Sequence, residues 1–357
     1  MSDSKKSKQL RIAVVGCGGV SRQHVMGWLN SKLPVKIVAL CDIRPDNARK
    51  VQDSCKLGSA QIVTDYGQVL ADPAVDVVEI CTPSDLHTGQ IMAALQAGKH
   101  IMTEKPVGYS LEDCRKLRWY RREFPQPKVG VAYSLRYFPT NQAVKRELER
   151  GTIGKVMYAS VAHNHAHEGL EQVFDYPTGQ NVSGDLGGRY IAGSELAHAT
   201  HPFDFARWLF GEVVDVLAIQ KGYGVFATFR HAGGATSHVI GGAAPKAGLA
   251  VPYPLCIQGT KGTIVTYQVH GKASWSAAGY RGWVIADGKQ RDITPKASDT
   301  GHGDLTRCRN FYNALVKNEP LICDMDDAIR TSELLHAVRD AHDHEIRVPV
   351  HRTGKTG

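Results

Sequence analysis

The sequence predicts an α/β protein of two domains: a doubly wound parallel sheet, then a second α/β domain built on an antiparallel or mixed sheet. Two observations carry this expectation. Up to Tyr133, short apolar runs alternate with helical patterns, and strands joined through helices pair in parallel with both faces covered. From Val213 onward, strand-like stretches follow one another directly through Gly-rich turns, as they do when sequence neighbours pair in a sheet.

The apolar run Arg11–Gly16 reads as the first strand and Val20–Leu29 as the helix after it. Val35–Leu40 is β-branched and leads to Cys41-Asp42, and Pro45–Cys55 is helical. Val75–Cys81 reads as a buried strand. Ser84–Ala97 reads as a helix, with Ser84 expected as its N-cap and Gly98 as its stop. His100–Thr103 is a short strand. Ser110 caps a helix to about Glu123, with Asp113 completing a capping box. Lys128–Tyr133 is the next strand.

The pattern then changes. Asn141–Arg150 is a polar helix stopped by Gly151, and Lys155–His165 alternates at period two. Strand-like stretches follow at 213–230, 235–241, 254–258, 262–269 and 281–286. Asp326–His342 is helical, with Ile329, Leu334, Leu335 and Val338 apolar. Pro125 and Pro127 flank the expected boundary, which puts the domains at 7–127 and 128–350.

Composition narrows the class. Of 357 residues, 42% are hydrophobic and 22% charged, which excludes a disordered, collagenous or disulfide-stapled chain. The eight cysteines are scattered without a CxxC pair and read as reduced core thiols. No run of about 18 apolar residues occurs, so no membrane span is expected. Met1–Arg11 is polar without an apolar stretch, so no signal peptide is expected and the cytoplasm is the default. The net charge of +8 is dispersed, partly in the tails, and no nucleic-acid motif accompanies it. No nucleic-acid partner is expected; a basic balance suits an anionic cofactor or substrate.

The segment Gly16-Cys17-Gly18-Gly19-Val20-Ser21 follows the first strand and opens the first helix. Gly16 permits the tight turn. Gly18 lets the backbone approach a pyrophosphate seated on the helix N-terminus, beside Gly19 and Val20. Ser21 stands where this fingerprint usually has Gly or Ala. Asp42 follows at the end of the second strand, where its carboxylate can hold both ribose hydroxyls of NAD and repel the 2′-phosphate of NADP. Arg44 could stack on adenine or meet that phosphate. NAD is therefore expected rather than NADP.

Glu104-Lys105-Pro106 follows the strand His100–Thr103. A lysine at the carboxyl end of a parallel strand faces the cofactor crevice, where it can exchange a proton with a substrate hydroxyl. With this segment the chain resembles the Gfo/Idh/MocA oxidoreductases, named for glucose-fructose oxidoreductase, inositol dehydrogenase and a rhizopine-catabolism protein. The glycine loop, Cys81-Thr82-Pro83-Ser84-Asp85-Leu86-His87, Glu104-Lys105-Pro106 and Ser134-x-Arg136-Tyr137-Phe138-Pro139 match in order and spacing. Ala192-Gly193 through His201-Pro202-Phe203-Asp204 to Gly211 resembles the family's Asp-x-Gly-x-His-x-x-Asp helix.

The resemblance implies a Rossmann domain and a second α/β domain. The second carries an open, mainly antiparallel sheet, with a substrate site on one side and often a subunit interface on the other. It implies that Thr82, Pro83 and His87 line the nicotinamide side and that Glu104 flanks the nicotinamide ribose or amide. Lys105 would be the catalytic acid/base, with a cis bond to Pro106. A homo-oligomer, dimer or tetramer, follows from family analogy alone.

The chain departs from the pattern at Ala197, where many relatives have an Asp assisting the histidine, and at Ala199, the family's next Gly. His201 and Asp204 keep their places. Glu195, His198 and His201, three residues apart, could share a helix face, and Glu195 or His198 could orient the substrate in place of the missing Asp. Pro202 could begin a new helix or kink this one. His163, His165 and His167 would project to one face of a strand and could hydrogen-bond sugar hydroxyls. They lack a recognised metal-ligand spacing, so no metal is expected. Tyr133 and Arg136 sit at the domain junction, Arg136 as a candidate anchor for a polar substrate or as a salt-bridge partner.

The expected activity is reversible hydride transfer between NAD and a secondary hydroxyl or ketone of a sugar, glycoside or cyclitol. Lys105 is the acid/base and His201 assists. One alternative is an NAD-dependent glycoside hydrolase or lyase that oxidises C3 transiently and eliminates the glycosidic group. A third reading is a non-catalytic NAD(H)-binding regulator.

Overall fold

The computed structural model describes residues 9–108, 110–166, 194–221, 224–244, 255–268, 280–296 and 303–353. In the first stretch strands and helices alternate as β1 (Leu10–Val15), α1 (Ser21–Asn30), β2 (Val35–Cys41), α2 (Pro45–Ser54), β3 (Gln61–Val63) and α3 (Tyr66–Ala71). They continue as β4 (Val77–Ile80), α4 (Ser84–Gln96), β5 (His100–Thr103), α5 (Leu111–Glu123) and β6 (Val129–Val131). Among the described residues these strands form one sheet in the order β3-β2-β1-β4-β5-β6, with every pairing parallel. The order reverses at β1, between β2 and β4. In doubly wound sheets, ligands bind beyond the carboxyl ends of the strands at such a reversal.

After a 3₁₀ turn at Ser134–Tyr137 come α6 (Pro139–Glu149), β7 (Val156–Ala166), α7 (Ser194–Phe210), β8 (Val213–Lys221), β9 (Gly224–His231) and β10 (Thr236–Ala244). Next are β11 (Leu255–Gly259), β12 (Gly262–Gln268), β13 (Tyr280–Ala286) and β14 (Lys289–Asp292). The chain closes with α8 (Gly303–Lys317), α9 (Met325–His344) and β15 (Val348–Pro349). The second sheet has the order β14-β13-β12-β11-β7-β10-β9-β8-β15 among the described residues. Only β7 and β10 pair in parallel there; the other pairings are antiparallel. The expected doubly wound sheet and open, mainly antiparallel sheet are both present.

The chain divides into two units. One comprises Met1–Gly108, Arg115–Ala132 and Asp304–Ala328; the other comprises Tyr109–Cys114, Tyr133–Gly303 and Ile329–Gly357. The core of the first is built on Leu10, Ile12 and Val14 of β1 with Val25 and Trp28 of α1. Each such side chain contributes about 1.5–3 kcal/mol when fully buried. Helix α8, for which the sequence pattern predicts no element, adds Cys308, Phe311 and Tyr312 to this core. Its approach to α1 is close. A Cβ on Gly27 would meet the Asp304 Cβ at 2.9 Å, and the Trp28 and Phe311 rings lie edge to face at 6.4 Å.

The second core lies on one face of the second sheet. Phe203, Ala206 and Leu209 of α7 and Leu334, Leu335 and Val338 of α9 meet Val161, Phe229, Val239 and Ile257. Alternation along the strands sets this face; β9 reads half-buried, buried, exposed, buried from Gly224. On the other face Ile219 and Phe226 are 58% and 49% exposed.

Two local expectations meet the structure differently. The capping box at α5 forms: the Asp113 amide donates to Ser110 Oγ and the Ser110 amide to Asp113 Oδ2, both at 3.0 Å. Ser84 is not the N-cap of α4. That position is Pro83, whose ψ of 147° is still extended, and Ser84 is already helical with no side-chain cap. Gly98 does stop the helix, at φ +70°. Pro202 neither starts nor ends a helix, for α7 runs through it from Ser194 to Phe210. All eight cysteines are free; seven are buried and Cys256 is half-buried. No described helix is long and apolar enough to cross a membrane.

Candidate active site

The glycine loop joins β1 to α1. Gly16 has φ +84°, and a Cβ there would lie 2.7 Å from the backbone of Cys81 and Thr82, the segment leaving β4. Only glycine satisfies both constraints. At Gly18 and Gly19 a Cβ would meet none of the described residues within 4 Å, so that backbone is open to a ligand. Ser21, the departure from the fingerprint, is buried and donates its hydroxyl to the Gly18 carbonyl at 2.7 Å. The hydroxyl thus ties the loop to the first turn of α1, close packing that a Gly or Ala would allow without the bond.

Asp42 sits at the end of β2 and braces the same loop. Its Oδ2 accepts the Cys17 amide at 2.8 Å and its Oδ1 accepts the Arg44 amide at 2.8 Å. Arg44 itself is exposed. These residues fit a dinucleotide: an open loop backbone at a helix N-terminus and a carboxylate one strand away.

The Thr82 hydroxyl donates to Gln90 at 2.5 Å, and Pro83 is exposed. His87 is buried between two carbonyls, its Nδ1 2.8 Å from Pro106 O and its Nε2 2.8 Å from Thr82 O. It ties the segment after β4 to the turn after β5. Burial pushes its pKa below the ordinary value, against the two carbonyls.

That turn carries Glu104 and Lys105, and the Lys105-Pro106 peptide is cis, as the resemblance implies. The Glu104 Oε2 accepts the Lys105 amide at 3.2 Å. Lys105 is half-buried. Desolvation lowers its pKa, and the neighbouring Glu104 charge offsets only part of this. A lysine in that state can take up and release a proton near neutral pH more readily than a solvated one.

Behind the turn lies a set of charged side chains that the sequence pattern does not single out. His24 of α1 sits with Nδ1 2.5 Å from Glu79 Oε1 and Nε2 2.8 Å from Glu104 Oε1. Trp28 Nε1 donates to Glu79 Oε2 at 2.7 Å, and Arg307 of α8 donates to Glu79 Oε1 at 2.6 Å. Glu79 is fully buried and Arg307 is 2% exposed. Burial alone would raise both carboxyls. For Glu79, the Arg307 charge and His24 outweigh it and hold the group down to about 2. For Glu104, His24, Lys105 and Arg307 do the same, also to about 2. His24, Glu79 and Cys81 approach one another as metal ligands would, yet the Glu79 oxygens already take three donors, one of them a guanidinium. The group reads as an ion network. A glutamate inside the apolar run Val77–Ile80 was the available sequence signal, since a buried carboxylate requires partners.

The second unit gathers a different set. Tyr133, His163 and His201 are all buried, from the segment before the 3₁₀ turn, from β7 and from α7. The His201 ring lies 6.2 Å from that of His163 and 6.3 Å from that of Tyr133, both edge to face. The Tyr133 hydroxyl is 3.1 Å from Thr200 Oγ1. Arg136 spends Nε and Nη2 on the two oxygens of Asp204, each at 2.7 Å, and Thr331 of α9 donates to Asp204 Oδ1 at 2.7 Å. His165 lies on β7, and Glu195, Ala197 and His198 lie on α7, but the side chains of all four fall outside the described residues, as does His167 altogether.

The glycine loop, the Asp at the end of β2 and the strand reversal define a dinucleotide-binding protein of the doubly wound class. A family model described as an oxidoreductase family with an NAD-binding Rossmann fold matches residues 10–123. A second, described as the GFO/IDH/MocA C-terminal domain, matches residues 141–265. The chain belongs to the Gfo/Idh/MocA oxidoreductase family.

Among curated proteins it is 29% identical over 215 residues to the uncharacterized oxidoreductase YrbE of Bacillus subtilis, 59% of this chain and 57% of that one. It is 30% identical over 203 residues to scyllo-inositol 2-dehydrogenase (NAD(+)) of the same organism, 57% of this chain and 54% of that one. The matched segment thus spans little more than half of these relatives. Among solved structures, levoglucosan dehydrogenase in complex with NADH and levoglucosan superposes with a TM-score of 0.81 at 19% identity, over 97% of this chain and 100% of that one.

Proposed function

We propose that this protein is an NAD-dependent oxidoreductase that interconverts a secondary hydroxyl and a ketone on a sugar, glycoside or cyclitol. The observation that carries the reading is Lys105: a desolvated lysine on the turn leaving β5, in the same unit as the open glycine loop. The substrate class follows the named relatives, an inositol dehydrogenase and a levoglucosan dehydrogenase.

In this reading Gly16, Gly18, Gly19 and Val20 hold the pyrophosphate on α1. Asp42 takes the ribose hydroxyls and disfavours NADP, with Arg44 beside the adenine. Thr82, Pro83, His87 and Glu104 line the nicotinamide side. Bound NAD supplies the hydride acceptor. Lys105 removes the hydroxyl proton in oxidation and returns it in reduction. His201 assists the proton transfer, and Tyr133 and His163 orient hydroxyls beside it. Arg136 holds α7 through Asp204 and anchors a polar substrate in this reading. His165, His198 and Glu195 complete the proposed set. The exposed Ile219 and Phe226 on the outer face of the second sheet support a homo-oligomer.

The test is absorbance at 340 nm with NAD, and separately with NADP, against inositols, free aldoses and aryl glycosides. Released aglycone is followed in parallel. NADH formation with a polyol or sugar supports the reading and names the substrate class. Aglycone release without NADH replaces it with a redox-assisted glycosidase. Silence in both channels removes the substrate class.

A further inference from the structure

We propose that His24 is a positioning residue for Lys105: as an imidazolium bridging Glu79 and Glu104, it fixes the carboxylate that holds the Lys105 amide. The inference rests on the reading of Lys105 as acid/base and adds a residue to it.

The geometry states the charge. Both ring nitrogens of His24 face carboxylate oxygens, at 2.5 and 2.8 Å. A neutral imidazole can donate from only one nitrogen and would turn a lone pair toward the other carboxylate. With both nitrogens protonated, every contact is a charge-assisted bond. Among these four groups the charges then pair off: Glu79 and Glu104 are negative, His24 and Arg307 positive. Each group is held by a different element: α1 for His24, β4 for Glu79, the turn after β5 for Glu104 and α8 for Arg307.

The groups facing His24 are Glu79, Cys81, Glu104 and Arg307, with Asp304 bonded to Arg307 at 3.4 Å. Burial and Arg307 both oppose a charge on His24. Cys81 and Glu104 outweigh them and keep its pKa well above the ordinary 6.5. Glu104 and His87 bear on Lys105 within this unit.

The consequence is a chain of fixed bonds. Arg307 and Trp28 hold Glu79, Glu79 holds His24, His24 holds Glu104 Oε1, and Glu104 Oε2 holds the Lys105 amide. His24 touches neither substrate nor reacting atoms in this scheme. Its removal loosens the hold on Glu104 and takes one positive charge from beside that carboxylate, so Lys105 feels more negative charge. That charge raises the pKa of the lysine.

The experiment compares wild type with His24→Gln, using the substrate that forms NADH fastest in the panel above, with kcat and KM measured across pH and NADH binding followed by fluorescence. The expected result is a fall in kcat of about 10- to 100-fold, as for a small misplacement of a reacting group. NADH binding changes little, and the ascending limb of the oxidation rate moves up by about one pH unit. A variant that is merely less heat-stable, with kcat and limb unmoved, overturns the proposal.

Nitrogen NMR of the wild-type protein gives a second readout that needs neither variant nor substrate. The His24 ring should keep both protons well above pH 6.5; a ring that releases one near that value overturns the proposal. Lys105→Ala separates the two failures. If it retains full turnover, the acid/base reading falls and this inference with it. If it loses turnover while His24→Gln does not, only the role of His24 falls.

Discussion

The Arg136 guanidinium meets both oxygens of Asp204 at 2.7 Å, with each side chain 1% exposed. The pair fastens the 3₁₀ turn to α7 three residues beyond His201, and Thr331 of α9 supplies a further donor to the same carboxylate.

Removing Asp204 takes from the buried Arg136 the carboxylate that meets it with two bonds, and from Arg207 an anion at 3.9 Å. Asp204→Ala is expected to cost about 3–5 kcal/mol in denaturant unfolding. The double variant Arg136→Met with Asp204→Leu should recover much of that, because both charges of the pair are then gone and Arg207 keeps Glu212 at 2.7 Å. A single variant as stable as the wild type contradicts the assignment.

Gly16→Ala places a methyl group against the backbone of Cys81 and Thr82 at a φ of +84°. The left-handed conformation alone costs roughly 1–2 kcal/mol for a residue with a side chain, and the collision displaces the loop. Titration with NADH should show weaker binding by an order of magnitude or more, about the factor that 1.4 kcal/mol represents. Unchanged affinity would mean that the dinucleotide does not rest on this loop.

Asp42→Ala removes the negative charge that opposes a 2′-phosphate and also the acceptors of the Cys17 and Arg44 amides. The ratio of kcat/KM for NADP over NAD should rise about ten-fold or more, while kcat/KM with NAD falls. A ratio that stays put would move cofactor choice to another residue.

Acid stability follows from Glu79 and Glu104, whose carboxyls are depressed from 4.5 to about 2. A depressed carboxyl stabilises the fold fully above its unfolded pKa, and this contribution is lost as pH falls through the folded value. Unfolding free energy should therefore drop between pH 4.5 and 2. In Glu79→Gln the same fall should be shallower, as measured by urea unfolding at a series of pH values. Equal slopes in the two proteins would contradict the network.

Much of the fold was legible because its elements are local. The parallel half shows through apolar runs such as Val77–Ile80, and the antiparallel half through strict alternation, as in β9. Helix α8 was not legible: its contribution to the first core is made by Cys308, Phe311 and Tyr312 from far along the chain. The turn at Gly16 and the place of Asp42 after β2 were legible because both lie within one strand-turn-helix-strand. The bracing of that loop by the Asp42 carboxylate was not, nor was the His24 network, since its members stand on four separate elements. The N-cap of α4 falls one residue before Ser84, because Pro83 holds the extended backbone that a cap needs.

The proposed activity turns on Lys105, and Lys105→Ala probes it with NADH binding and the 340 nm rate measured on one preparation. NADH should bind as it does to the wild type while turnover falls by about 10²- to 10⁴-fold, the range removed with a general acid/base. Wild-type turnover with intact NADH binding would contradict it.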